Sequence, residues 1–540
     1  MSAANTSPQW PEAIEAWTNT LGAPHVFSGD SIPREYVNNT SGLSRAVPVV
    51  VSPGCTEDVQ ETLRIAHRFA TPLSPFSAGG NWGLGSKLPV RDGVGLMDLR
   101  RMNRVLEVNV EHRYALVEPG VTQQQLYDYL QEHNLPLVIN VTGSGALTSV
   151  IGNALERGIG YFASRADSLS GMDVVLANGD LLRTGFDASV GSLRYVYRHG
   201  VGPGLDGLFY QSNLGVVTRA AIPLMPAAEA HLVVIVKIAD DAGFEAFFER
   251  LITLRRREII RTVWHVGNRA RSEIALGPML SDVLKSRQGG DAATRRSEAL
   301  RIMEEEGFGA WNAVGGVFGT RAQLRVMQRE IKKQLKGVAD VQFLDDQRLS
   351  RAGRILDALS FLPAARRKRI VLEAMKPLYG LSKGIPTNAT LKSVLWPLGE
   401  NVDEEIENPD NSHSGMLYCL PFFPLMPQHA RRIIRQAHEI LGGAGFDTAI
   451  TMNLIDDNVG EAVISVAFDR RDPARAEAAQ ESIARLTETC IDMGYPPYRV
   501  GIQSMSLLTR DGEPRRNTFQ SLKQVLDPKG IIAPGRYDFL

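Results

Sequence analysis

The chain has 540 residues, of which 44% are hydrophobic and 22% are charged, and its formal net charge is -1. This length predicts two or more domains, because a single hydrophobic core seldom serves so long a chain. The balanced charge argues against a nucleic-acid or acidic-membrane partner, which would require a basic surplus.

The first residues lack a basic segment followed by an apolar one, so no secretory signal is expected. No apolar run is long enough to predict a membrane span. The three cysteines, Cys55, Cys419 and Cys490, have the spacing of neither a zinc site nor a disulfide framework. They indicate a reducing, cytoplasmic setting, and Cys419, within an apolar strand, is expected to be a buried structural thiol. The ten histidines form no ligand motif, so no metal site is predicted.

The chain begins with an alternation of strand and helix. Ala46–Val51 predicts a buried strand, and Thr56 is expected to cap a helix that ends near Phe69. A second short strand is predicted over Pro72–Phe76. It leads into Ser77–Ser86, a segment with four glycines in ten residues.

This first glycine segment has two interpretations. Gly79, Gly80, Gly83 and Gly85 can let backbone N–H groups converge on a phosphate, or they can form a structural turn. No GK[ST] follows, and the segment does not connect a strand to a long helix through G-x-G-x-x-G. A Walker loop and a Rossmann site are therefore disfavoured.

A second glycine-rich segment covers Thr142–Tyr161. Ser149, Gly152 and Asn153 precede a predicted helical segment over Ala154–Arg157. Small residues before a helix N-terminus suit a pyrophosphate or a flavin edge, and also suit a closely packed helix start. Met172–Thr184 then predicts a hairpin around Asn178-Gly179.

The pattern changes near Glu229, after which strands and helices alternate to about Met493. This part predicts a second domain, a sheet covered by helices, with Leu280–Gly307 as a solvated helical excursion. Tyr498–Val500 and Asp527–Leu540 are expected to return to the first domain. The predicted domains are residues 1–228, 229–493 and 494–540, the last completing the first.

Tyr498-Arg499 stands at the start of this return. The arginine can hold an anion by charge-assisted hydrogen bonds, or it can be a surface residue beside a packed tyrosine. Adjacent residues of a regular strand face opposite sides. Both side chains can therefore serve one pocket only if the backbone is irregular there.

The sequence resembles the vanillyl-alcohol oxidase and para-cresol methylhydroxylase family of flavoenzymes over nearly its whole length. The stretches that carry the resemblance are SAGGNWGLG, MNRVLEVNVEHRYALVEPGVTQQQLYDYL, SVIGNALERGIGY, GMDVVLANGDLLRTG, DGLFYQSNLGVVT, PPYRV and DPKGIIAPGR. The resemblance implies an α+β, two-domain FAD-binding fold with an α/β cap domain over the flavin.

The resemblance also implies which residues lie along FAD. They are Ser77, Gly79, Gly80, Asn81, Trp82, Gly83, Leu84, Gly85, Ser144, Ser149, Val150, Gly152, Asn153, Gly158, Gly160, Tyr161, Gly215, Val216, Val217 and Arg536. The implied substrate pocket contains Leu84, Met416, Tyr418, Tyr498 and Arg499.

The family acts on para-substituted phenols. Phenol deprotonation drives electron density toward the para benzylic carbon, hydride leaves to flavin N5, and a quinone methide forms. Tyr498 and Arg499 match the family's phenolate-binding pair. Glu461 is expected to supply acid–base chemistry.

The sequence departs from the family's pattern at four places. Leu84 replaces a phenolate-binding tyrosine, Ser144 an aspartate near flavin N5, and Met416 the histidine bonded covalently to the flavin. Glu461-Ala462 replaces a His-His pair. FAD is therefore expected to be noncovalent, with a link through Tyr418 or His413 left open.

The sequence thus predicts an FAD oxidoreductase of a para-substituted phenol or aryl alcohol, with lignin-derived phenols among the candidates. The expected electron acceptor is molecular oxygen or a cytochrome, and a homodimer or higher oligomer is predicted. Two alternatives stay open: an FAD enzyme for another alcohol or a hydroxy acid, motivated by Leu84 and Ser144, and a non-catalytic flavin-fold binding protein.

Overall fold

A computed structural model of the chain describes residues 7–166, 168–186, 188–399, 406–510 and 512–538. The helices are α1 Trp10–Leu21, α2 Thr56–Phe69, α3 Gln123–Glu132, α4 Val150–Leu155, α5 Leu193–Val196, α6 Phe244–Arg256, α7 Arg269–Gln288, α8 Ala292–Glu305, α9 Arg321–Leu335, α10 Asp346–Ala358, α11 Pro363–Ala374, α12 Lys376–Leu381, α13 Pro427–Ala437, α14 Pro473–Asp492 and α15 Glu513–Leu526. The strands are β1 Val26–Ser28, β2 Val49–Val51, β3 Leu73–Phe76, β4 Gly95–Asp98, β5 Val105–Asn109, β6 Tyr114–Val117, β7 Leu137–Val138, β8 Ser170–Val175, β9 Leu181–Arg183, β10 Val216–Pro223, β11 Met225–Pro226, β12 Ala230–Ile238, β13 His265–Asn268, β14 Trp311–Gly319, β15 Asp340–Leu344, β16 Ser414–Cys419, β17 Phe422–Pro424, β18 Ala449–Leu454 and β19 Val459–Asp469.

The strands up to β11 form two main sheets. One has the order β1-β2-β4-β3, and the other has the order β5-β6-β10-β8-β9. The predicted hairpin is present, since β8 and β9 pair antiparallel on either side of Asn178-Gly179. The glycine segment Ser77–Ser86 begins directly after β3, so it leaves the edge of the first sheet.

The strands from β12 onward form one eight-stranded antiparallel sheet, in the order β15-β12-β14-β13-β18-β19-β16, with β17 on β19. Helices α6, α9, α13 and α14 pack on one face and bury the largest apolar cluster of the molecule. The change of sheet between β11 and β12 coincides with the division predicted near Glu229. The domain assignment itself stays a prediction.

The end of the chain returns to the first sheets. Leu73 of β3 forms a bridge with Ile532, and the Asn213 amide donates to the Ala533 carbonyl at 3.3 Å. Helix α15, which the sequence did not predict, precedes this return. The regular α+β fold matches the fold class that the sequence predicted.

Two local predictions differ from the structure. The N-cap of α2 is Cys55 rather than Thr56, because the Cys55 sulfur accepts from the Asp58 N–H at 3.4 Å and Thr56 is the first helical residue. The helix after Ser149 covers Val150–Leu155 rather than Ala154–Arg157, because Ser149 caps it directly. The helical excursion predicted over Leu280–Gly307 corresponds to the end of α7 and to α8, which pack together in one apolar cluster.

Candidate active site

A cavity of about 170 Å³ lies between the two glycine-rich segments and the C-terminal return. We call it the glycine-loop cavity. Eleven of the residues expected along FAD line it: Ser77, Gly79, Gly80, Asn81, Ser149, Gly152, Asn153, Gly215, Val216, Val217 and Arg536. Arg499, expected in the substrate pocket, lines it too. The fold therefore gathers residues that are more than 450 positions apart in the chain.

The first glycine segment presents free backbone donors to this cavity. The N–H groups of Ala78, Gly79 and Gly80 donate no hydrogen bond to any described residue. Gly79 has φ +72°, and a Cβ there would meet the Lys87 side chain at 2.5 Å. Unpaired N–H groups in an open loop are the donors that a phosphate requires, so the segment fits a dinucleotide cofactor.

The second segment is held by Ser149. Its Oγ accepts from the Gly152 N–H at 2.9 Å and donates to the Pro119 carbonyl at 2.7 Å. A Cβ on Gly152 would collide with the Ser77 hydroxyl, so the two glycine-rich segments approach one another closely at this point. Close approach across the cavity explains why this position needs glycine.

A buried ion cluster lies at the far end of the glycine-loop cavity. Glu156 pairs with Arg536, its Oε2 accepts from the Tyr537 hydroxyl at 3.1 Å, and it lies 3.9 Å from the Arg499 Nε. Burial opposes ionisation, but Arg536 and Arg499 together hold the pKa of Glu156 below its usual range. Sequence analysis missed Glu156; its place one turn after Gly152 was the available signal.

The remaining residues expected along FAD lie elsewhere. Trp82 lines a neighbouring cleft of about 1000 Å³, which shares Gly79 and Gly80 with the first cavity. Leu84 is 4% exposed. Five others pack against protein neighbours: Gly83 on Tyr418, Gly85 on Ile502, Gly158 on Asn153, Gly160 on Asn140, and Val150 in the core. Ser144 contacts Thr142 and Thr148 through its hydroxyl, at 2.5 and 2.9 Å.

Tyr498 and Arg499 lie on irregular backbone, as a shared pocket requires. The Tyr498 N–H donates to the Leu420 carbonyl at 3.2 Å, and its own carbonyl accepts from Gln211 at 2.8 Å. Its ring stacks on Phe422 with 4.8 Å between centroids. These contacts fix Tyr498 between the segment that contains Gln211 and the eight-stranded sheet.

Tyr498, Arg499 and Glu461 form one polar cluster. The Tyr498 side chain interacts electrostatically with both of the other side chains, and the Arg499 guanidinium donates to Asn81. Burial and the nearby Glu461 carboxylate raise the pKa of Tyr498 well above its ordinary value. Burial raises the pKa of Glu461 to about 7, against the opposing effects of Asn453, Tyr498 and Arg499. The cluster thus contains a carboxyl that exchanges its proton near neutral pH.

Glu461 continues into a row of polar residues on three adjacent strands. The sheet register aligns His265 with Asn453 and Asn453 with Glu461. The Asn453 amide donates to Glu461 Oε2 at 2.9 Å, so its Oδ1 accepts from the His265 Nδ1, 2.7 Å away. Sequence analysis missed Asn453 and His265, although a polar residue in the apolar strand AITMNL was a signal.

His265 is neutral in this arrangement. Burial lowers the pKa of His265 to about 4, and the hydrogen bond to Asn453 places its proton on Nδ1. Its Nε2 is buried and has no hydrogen-bond partner among the described residues. The ring contacts Tyr161, with 4.8 Å between centroids. A free acceptor atom is therefore present beside a residue that the sequence predicted to lie at the flavin.

The remaining pocket residues lie on β16. Met416 is 9% exposed, and the Tyr418 ring lies against Gly83. Burial raises the pKa of Tyr418, so its phenol stays protonated. His413 is exposed and lines the neighbouring cleft.

None of the described helices combines the length and apolar character that crossing a bilayer requires.

Comparisons with known proteins agree with this geometry. Residues 47–185 match the FAD binding domain family. The chain is 31% identical over 541 residues to 1'-carboxy-chondrochloren decarboxylase of Chondromyces crocatus, covering 99% of this chain and 98% of that protein. It is 27% identical to the 4-cresol dehydrogenase [hydroxylating] flavoprotein subunit of Pseudomonas putida, covering 98% and 96%. It superposes with a TM-score of 0.83 on 4-ethylphenol oxidase from Gulosibacter chungangensis, at 26% identity, covering 98% and 97%.

Proposed function

We propose, from the premise that this chain belongs to the vanillyl-alcohol oxidase and para-cresol methylhydroxylase family and is an FAD-dependent oxidoreductase, that it oxidises para-substituted phenols at the benzylic carbon. The observation that carries the proposal is the buried cluster of Tyr498, Arg499 and Glu461. It combines a hydroxyl, a cation and a carboxyl of near-neutral pKa around one position. These groups can take the proton of a phenol near neutral pH and stabilise the phenolate that results.

In this proposal the phenol loses its proton through Tyr498. The Tyr498 hydroxyl donates to Glu461 and accepts the proton of the substrate phenol, so one proton moves along the pair and Glu461 becomes protonated. Tyr498 ends as a hydrogen-bond donor to the new phenolate. Arg499 offsets the negative charge of the phenolate. Burial lowers the pKa of Arg499, but Tyr498 and Glu156 raise it by more, so the guanidinium stays charged.

Bound FAD would supply the hydride acceptor for the benzylic carbon of the phenolate. The unpaired N–H groups of Ala78, Gly79 and Gly80 are the proposed phosphate donors, and Ser149 fixes the opposite wall. His265 Nε2 has no partner among the described residues and can accept a hydrogen bond from water or from a substrate hydroxyl. Burial of Glu461 strengthens its polar interactions with Tyr498 and Arg499, because charges interact more strongly at a lower dielectric constant.

The proposed substrate class is supported by the polar cluster and by the relatives' names, which include 4-cresol and 4-ethylphenol. The relative named a decarboxylase of a 1'-carboxy compound supports including carboxylated phenols among the candidates. Leu84 and Ser144 favour the second candidate function, oxidation of another alcohol or a hydroxy acid, because both replace polar groups of the phenol-oxidising pattern. Oxygen or a cytochrome as acceptor, a homo-oligomer and a cytoplasmic location stay predictions.

Anaerobic mixing tests the proposal. The FAD-loaded protein is mixed with 4-cresol, 4-ethylphenol and 4-propylphenol, and in parallel with D-lactate and 1-butanol, while the flavin absorbance is followed. The expected result is bleaching by the phenols alone. Bleaching by lactate or butanol without bleaching by any phenol would favour the second candidate.

A further inference from the structure

Arg271 is a cation for which the described part of the chain provides no partner: its guanidinium makes neither a hydrogen bond nor an ion pair there. It lies in the first turn of α7, which starts directly after β13, and its Cγ is 3.2 Å from the position a Cβ on Gly267 would occupy. Two residues earlier, Arg269 pairs with Glu273 at 3.1 Å. The helix dipole disfavours a cation in this turn, so the fold itself gives no reason for the charge of Arg271.

The charge of Arg271 acts on three side chains of the pocket. Arg271 lowers the pKa values of Tyr161 and Tyr418, against the larger effect of burial, and adds to burial in lowering that of His265. All three keep some accessible surface although burial shifts each of them. The sheet register places the His265 and Tyr418 side chains on one face of the eight-stranded sheet, and the Tyr161 ring lies on His265 with 4.8 Å between centroids. Gly267, against which Arg271 lies, is two residues from His265 on β13 and faces the same side.

Arg271 and Arg499 mark opposite ends of that pocket. His265, Asn453 and Glu461 occupy three successive strands, so His265 is roughly 10 Å from Glu461 at about 4.8 Å per strand. Arg271 lies at the His265 end and Arg499 at the Glu461 end, and both charges act to lower the pKa of Tyr418. A phenol ring with a short side chain covers a comparable span.

The Arg271 end suits an anion. Tyr161 and Tyr418 remain protonated and can donate, while His265 is neutral. No described aspartate or glutamate pairs with Arg271. A guanidinium with unused donors in an enclosed site binds a planar carboxylate through paired, charge-assisted hydrogen bonds.

We propose that Arg271 binds a carboxylate carried on the para side chain of the substrate, while Tyr498 and Arg499 hold the phenol oxygen at the other end of the pocket. The substrate class is then a 4-hydroxyphenyl alkanoate. This inference rests on the proposed function for the orientation of the substrate, but the charge recognition can be measured separately.

The first experiment compares 3-(4-hydroxyphenyl)propanoate with its methyl ester, in which the carboxylate charge is masked. Anaerobic flavin reduction by the FAD-loaded protein gives the ratio of kcat/KM for acid over ester. Arg271→Met is expected to lower this ratio roughly 10- to 100-fold. The matched control, Arg269→Met on the same helix turn, is expected to leave the ratio unchanged. An equal ratio in wild type and Arg271→Met would overturn the inference.

The second experiment removes the dependence on phenol oxidation. 3-Phenylpropanoate lacks the phenol oxygen, and its Kd is measured by titration of the flavin spectrum. Arg271→Met is expected to raise that Kd by a similar factor, and Arg269→Met is not. If no phenol reduces the flavin but this difference appears, the proposed function fails and the carboxylate subsite stands. An unchanged Kd overturns the subsite.

Discussion

The amide of Asn453 donates to the Glu461 carboxylate at 2.9 Å, and this bond gives both residues a defined role. With its nitrogen directed at Glu461, Asn453 can only accept from His265. Glu461 is 1% exposed and its carboxyl has a raised pKa of about 7. The strand register therefore positions a proton acceptor where sequence analysis expected acid–base chemistry.

Replacing Glu461 by glutamine is expected to slow flavin reduction by 4-ethylphenol on the order of 100-fold at pH 7.5. The amide of the variant can hydrogen-bond but cannot accept the phenol proton. The wild-type rate should rise with pH through about 7, where the Glu461 carboxyl ionises and its pKa lies. The variant's rate should rise only toward about pH 10, where phenols ionise by themselves. Stopped-flow reduction across the range from neutral to alkaline pH measures both, and superimposable profiles would remove Glu461 from the mechanism.

The same substitution is expected to stabilise the protein at high pH. Folding raises the pKa of Glu461 from 4.5 to about 7. The protonated carboxyl therefore contributes its full stabilisation of the folded state below pH 4.5, and this contribution is lost as the pH rises through 7. That difference corresponds to on the order of 3 kcal/mol. Glutamine does not ionise, so it adds no such pH dependence to the stability of the variant. The melting temperature of Glu461→Gln relative to wild type should therefore be higher at pH 8 than at pH 5. Glu12→Gln, at an exposed site, is the control and should give the same difference at both pH values.

Arg499→Met is expected to impair flavin reduction by phenols far more than it impairs FAD retention. The phenolate would lose a charge-assisted partner worth about 1.5–3 kcal/mol, or roughly 10- to 100-fold in rate. Arg536 continues to pair with Glu156 in the variant, which preserves the wall of the cavity. Rates are expressed per bound flavin, with Arg64→Met on the surface of α2 as the control. Unchanged reduction kinetics would assign Arg499 a structural role alone.

FAD is expected to be released when the protein is precipitated with trichloroacetic acid. The Met416 thioether cannot form the bond that an imidazole nitrogen makes to the flavin. Burial raises the pKa of the Tyr418 phenol, which keeps it a poor nucleophile. A colourless pellet and a yellow supernatant are the expected result. A yellow, fluorescent pellet would show a covalent link, which Tyr418→Phe and His413→Ala would then locate.

Gly152→Ala is expected to reduce the FAD content of the purified protein. The added Cβ would collide with the Ser77 hydroxyl and separate the two walls of the glycine-loop cavity. Gly443→Ala is the matched control, because a Cβ there meets no atom within 4 Å. The flavin-to-protein absorbance ratio measures the effect. An equal ratio in both variants would show that the cavity tolerates the extra methyl group.

The sequence by itself determined the order and type of most elements. The hydrophobic period and turn residues predicted the end of α2 at Phe69, strand β3 to within one residue and the hairpin of β8 and β9. These are local properties: apolar alternation, caps and glycines act within a few residues. The glycine segments and the Tyr498-Arg499 pair were recognisable for the same reason, since each motif is contiguous in the chain.

The tertiary structure alone decided which side chains meet. Glu156, His265, Asn453 and Arg271 stand in unremarkable local contexts, and sequence analysis passed over all four. The strand register places Asn453 between His265 and Glu461, and register depends on the pairing of strands separated by up to 188 residues. The raised pKa of Glu461 likewise follows from its burial, which is complete only when the whole chain is folded. Desolvation depends on every neighbour in space rather than on the flanking sequence.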